Sequence, residues 1–67
     1  MNYKLELMLL NKKQIDVMRE INKRDLGYKC SNVDICYAMN GSVRPKFDRI
    51  RADAETIINE WKAAASP

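Results

Sequence analysis

CSNVDICYAMNGSV, residues 30–43, decides how this chain is read. Ser31 is a strong helix N-cap type, and Asp34 follows three residues later. There its carboxylate favours the positive end of a helix. Asn40-Gly41 tolerates left-handed backbone and marks the stop. The pattern predicts a short helix over 31–39. Its spacing predicts Ile35, Cys36 and Met39 as the buried stripe, with Asn32, Val33, Asp34 and Tyr37 facing outward. Asp34 is the only charged residue between Cys30 and Val43.

Beyond that helix, Pro45 suits the first turn of another. Phe47, Ile50, Ala54, Ile57, Ile58 and Trp61 follow at spacings of three and four. This predicts an amphipathic helix over 45–62 and a frayed tail over 63–67. Arg49 with Asp53, and Arg51 with Glu55, stand at i,i+4 and are expected as pairs on its wet side.

On the other side, Asp25-Leu26-Gly27-Tyr28-Lys29 interrupts the periodicity, with Gly27 supplying a permissive turn position. A helix over 12–23 is predicted before it. Asn11 is its expected cap, and Gln14 reaches back as in a capping box. Its apolar face is Val17, Met18 and Ile21, with Ile15 beside them. The first segment, 3–10, places Leu5, Met8 and Leu9 on one helical stripe. Tyr3, Leu5 and Leu7 also alternate with Lys4 and Glu6, as in a strand. No clear strand partner follows, so a helix is expected.

The chain of 67 residues carries one small domain, read as helical over 1–62. There is no histidine, which removes the commonest general base and any Ser-His or Cys-His nucleophile. Two cysteines and no histidine argue against a disulfide scaffold, and no metal or cofactor site is expected. No Gly-rich phosphate loop is present, so neither enzymatic activity nor a small-molecule substrate is expected. The longest apolar run is Leu7-Met8-Leu9-Leu10, with no signal-peptide pattern, so no membrane association and a cytoplasmic location are expected. The net charge of +3 is concentrated in residues 12–29, where Lys12, Lys13, Arg19, Lys23, Arg24 and Lys29 outnumber Asp16, Glu20 and Asp25. That bias fits a polyanion partner without demanding one.

The fold class is therefore all-α: a compact four-helix, helix-turn-helix domain. Gln14-x-x-Val17, the Ser31–Met39 helix, Asn40-Gly41 and the apolar helix after Pro45 carry a resemblance. From Lys4 to Ile58 the chain resembles the lambda-repressor-like, Cro/CI-type helix-turn-helix family of temperate phages. One departure concerns the link between helices two and three: the family uses a tight turn of about three residues, whereas Asn22 to Cys30 makes a longer connection here.

The resemblance implies a small phage or prophage transcription regulator of the lysis–lysogeny type, in the cytoplasm of a bacterial host. Its third helix would lie in the major groove of double-stranded operator DNA, in a homodimer. Ser31, Asn32, Val33, Asp34, Tyr37 and Asn40 would form the DNA- or partner-binding face. Lys12, Lys13, Gln14, Lys29, Ser42, Arg44 and Lys46 would hold phosphates. The low charge of the third helix leaves a second implication: an antirepressor, or modulator of repression, that covers the DNA-binding domain of a phage repressor. Asp34 would then pair with a repressor arginine.

Overall fold

Asn2 starts the first helix by accepting the Leu5 N–H on its side-chain oxygen at 3.2 Å. Helix α1 then runs Tyr3–Leu9. The computed structural model describes residues 1–65, which form three further helices: α2, Gln14–Arg24; α3, Asn32–Met39; and α4, Pro45–Ala65. Over the described residues the chain is all-α, with four helices, as the sequence predicts. Helix α4 extends three residues beyond its predicted end. The remainder of the tail expected to fray lies outside the described residues.

The α1–α2 junction differs from expectation in a physically clear way. Asn11 does not cap α2. It takes a left-handed conformation (φ 56°) that closes α1, a conformation asparagine tolerates better than most residues. The Lys12 N–H then returns to the Leu7 carbonyl at 2.9 Å. Lys13 becomes the extended N-cap residue, and its N–H donates to the Asp16 carboxylate at 2.8 Å. The side chain that reaches back to the cap is thus Asp16, not Gln14.

Helix α4 is the long element of the core. Ile50, Ala54, Ile57 and Ile58 are buried, and Phe47 and Trp61 pack against them. Val17 and Ile21 from α2 and Ile35, Ala38 and Met39 from α3 meet that stripe. Each fully buried Ile or Val contributes about 1.5–3 kcal/mol relative to exposure. Such burial is what a domain this small depends on.

Two predicted stripes are corrected. In α3 the buried positions are Ile35, Ala38 and Met39, while Cys36 is exposed. In α1 the core side is Leu7, with Tyr3 and Leu10 packed beside it. Leu5, Met8 and Leu9, expected inside, face solvent at 44%, 68% and 73% exposure. The helix has apolar residues on both sides, and only one side meets α4.

Candidate nucleic-acid interface on the third helix

The connection from α2 to α3 spans Asp25 to Ser31. Asp25 ends α2 in a left-handed conformation (φ 54°), and Gly27 follows at φ 93°. Leu26 and Tyr28 turn inward onto the core. The Tyr28 hydroxyl donates to Asp53 at 2.6 Å, and Arg49 lies over the Tyr28 ring at 4.5 Å while donating to the Leu26 carbonyl. The longer link is therefore fastened to α4 by side chains. Asp53 and Glu55 do not form the expected pairs with Arg49 and Arg51. They accept from Tyr28 and from the Tyr3 hydroxyl, the latter at 2.9 Å.

Asn22 fixes the start of α3. Its Oδ1 accepts the Cys30 N–H at 2.7 Å, and its Nδ2 donates to the Cys30 carbonyl at 2.8 Å. One amide in the last turns of α2 thus holds the backbone that leads into α3. The Cys30 thiol is buried, and burial first, then Asp34, pushes its pKa up to about 11.

Ser31 and Asp34 form a reciprocal cap. The Ser31 hydroxyl accepts the Asp34 N–H and the Asp34 carboxylate accepts the Ser31 N–H, both at 3.1 Å. The Lys46 ammonium stands 3.1 Å from the other Asp34 oxygen. The Ser31 backbone N–H, with Lys46 behind it, holds the Asp34 carboxyl below the usual carboxylate range. Its side chain is 16% exposed. Asp34, expected to face outward, is committed to the cap and to α4.

The far end of α3 is pinned as firmly. The Asn40 amide donates back to the Cys36 carbonyl at 2.9 Å. Arg51 donates to the Ala38 carbonyl at 3.0 Å and to the Ser42 carbonyl at 2.8 Å, and also pairs with Asp48. A cation on these terminal carbonyls suits the negative end of the helix. Ser31, Asn40 and Ser42 are thus occupied with fixing α3, through a hydroxyl, an amide and a carbonyl respectively.

The residues left on the outer face are Asn32, Val33, Cys36 and Tyr37, all exposed. At about 100° per residue they share an arc of roughly 140°, opposite Ile35, Ala38 and Met39. Tyr37 leans on Phe47, with ring centroids 5.8 Å apart, and a shallow recess lies between them, Ser42 and Arg44. Lys29 before the helix and Arg44 after it are exposed and make no ion pair among the described residues.

Lys12, Lys13 and Gln14 lie apart from this arc in sequence, around the α2 N-terminus. With Lys4, Leu7, Met8 and Asn11 they line an open groove of about 360 Å³. Lys12 sits over the Trp61 ring at 5.1 Å, so part of its charge is spent on packing. Lys13 is exposed and makes no ion pair among the described residues.

Among the described residues, no group of three His, Cys, Asp or Glu side chains is gathered as a metal site requires. No described helix is long and apolar enough to cross a membrane. Comparison with protein-family models, curated proteins and solved structures finds no match.

Sequence reasoning missed Asn22, Phe47 and Arg51 as positioning residues. Each acts across a turn or between helices. The one local signal was the polar Asn22 in the last turns of α2, just before a linker that needed an anchor.

Proposed function

We propose that this chain is a small transcription regulator that binds double-stranded DNA by laying α3 in the major groove, in the manner of the phage regulators it resembles. One observation carries the reading: α3 is immobilised at both ends by its own polar groups and neighbours, yet keeps an uncharged outer arc flanked by Lys29 and Arg44, two cations that make no ion pair among the described residues. That arrangement suits a helix that reads base edges with polar and apolar groups, because flanking phosphate contacts supply affinity while the helix supplies selection. Asp34, the one acid of the helix and a group that phosphates would repel, does not stand on the arc, since it is capped and paired. Lys13 and Gln14 at the α2 N-terminus offer a further phosphate contact. Two copies on a palindromic site would double the few base pairs that one short helix reads. The host compartment under this reading is the bacterial cytoplasm.

A second reading draws on the exposed apolar groups Val33, Tyr37 and Val43, at 59%, 52% and 85%. The same face would then cover the DNA-binding domain of a phage repressor, with Tyr37 as anchor. The structure weakens one part of that reading. Asp34, its proposed partner for a repressor arginine, is already held by Lys46 and the Ser31 N–H.

The test is fluorescence anisotropy with duplexes from the gene's own control region, titrated with salt, with and without the neighbouring repressor. The DNA reading predicts sequence-selective binding by this chain alone, with a log–log salt slope of about −2.7 to −4.5 per bound copy from roughly three to five phosphate contacts each. Lys13→Ala would make the slope shallower by about one. No binding alone, but release of the repressor at near-equal stoichiometry, would establish the second reading instead.

A further inference from the structure

Resting on the DNA reading above, we infer that α3 reads A·T pairs: the half-site under this helix is A·T at the positions its outer arc touches. The argument is one of elimination among side chains already placed. In the major groove, guanine is read chiefly by Arg or Lys chelating O6 and N7, and cytosine by a carboxylate accepting from its amino group. Helix α3 carries no Arg or Lys. Its one carboxylate, Asp34, is engaged on both oxygens, by the Ser31 N–H and by Lys46.

What remains can meet A·T. Asn32 is exposed in the first turn, and neither half of its amide bonds to another described residue. An unengaged amide presents a donor and an acceptor together, which match N7 and the N6 amino group of adenine. Asn40 cannot do the same, because its amide nitrogen donates to both the carbonyl and the thiol of Cys36. Val33, Cys36 and the Tyr37 ring give an exposed apolar surface beside Asn32, suited to the C5-methyl groups of thymine. Asn32 and Val33 occupy the first turn of the helix, the part that approaches base edges in this docking mode, and Cys36 and Tyr37 continue the same face one turn on. Lys29 and Arg44 flank the arc in sequence and complement the phosphates on either side.

The test uses the whole chain in selection from a random duplex library, followed by base-analogue substitution in the enriched site. The expected half-site is A·T-centred. Replacing its adenine by 7-deazaadenine, which removes the N7 acceptor and leaves the N6 amino group, should weaken binding roughly 2- to 12-fold, about half of a bidentate contact. Replacing the contacted thymine by uracil, which removes only the methyl, should weaken binding less but measurably. Asn32→Ala should abolish the 7-deazaadenine effect, and circular dichroism should show its fold unchanged. An enriched site centred on G·C, weakened by 7-deazaguanine and indifferent to 7-deazaadenine, would overturn the A·T inference while leaving DNA binding intact. Enrichment of no sequence at all would overturn the DNA reading and this inference with it.

Discussion

Replacing Asn22 by alanine is expected to cost about 2–3 kcal/mol. The side chain makes two short hydrogen bonds to one backbone residue, at 2.7 and 2.8 Å to Cys30. Each is worth about 1 kcal/mol net. The half-buried site then leaves the Cys30 N–H and carbonyl short of partners, which adds to the loss, although water can reach part of the way. A domain of this size has about 5 kcal/mol to lose. At roughly 4–8 °C per kcal/mol, Tm should fall by about 10–20 °C. Asn22→Asp keeps an acceptor for the Cys30 N–H but sets a second oxygen against the Cys30 carbonyl, so it should also be strongly destabilising. Urea unfolding followed by circular dichroism measures both. A loss below about 0.5 kcal/mol for Asn22→Ala would show that the link is held by Tyr28 and Arg49 alone, and the clamp argument would fail.

Three other outcomes follow from particular contacts. Leu7→Ala should cost about 2–5 kcal/mol, whereas Leu9→Ser should change stability by less than about 0.5, because Leu7 is the core side of α1 and Leu9 is not; equal losses in thermal melts would restore the expected stripe. The Asp34 pKa is depressed, so its contribution is present above the ordinary value of 3.8 and is lost as pH falls below it; Asp34→Asn should be less stable than the parent at pH 7 and should flatten the acid limb of stability against pH. Burial raises Cys30 from 9.0 to about 11 and, with Glu55, raises Tyr3 from 10.0 to about 12. The stability these two groups contribute should therefore be full below pH 9 and decline from there to pH 12, and Cys30→Ala should remove the earliest part of that decline.

What was legible in the sequence was local. The Ser31–Asp34 cap needs residues three apart and nothing else, and it forms as read. The α4 stripe has only one apolar side, so its period identified Ile50, Ala54, Ile57 and Ile58 as buried. Helix α1 defeated the same reasoning because apolar residues lie on both its sides, and only the packing of α4 chooses Leu7. Helix α3 did so in a milder form: Cys36 and Ala38 are both small, and Ala38 is the one that meets the core. Asn11 can cap a following helix or close a preceding one, and the left-handed role won. Asp53 and Glu55 left their expected i,i+4 arginines for tyrosines distant in sequence. The outer arc was largely read correctly in Asn32, Val33 and Tyr37. The commitment of Asp34 to Lys46 depends on α4 and could not be read from α3.

The central claim is that duplex DNA meets the outer arc of α3, and backbone amide chemical shifts of the isotopically labelled chain test it most directly. With the selected duplex, the account predicts the largest changes at Asn32, Val33, Cys36 and Tyr37, with smaller ones at Lys13, Gln14, Lys29 and Arg44. Changes confined to the exposed side of α1 at Leu5, Met8 and Leu9, or a spectrum unmoved by DNA at low salt, would contradict it.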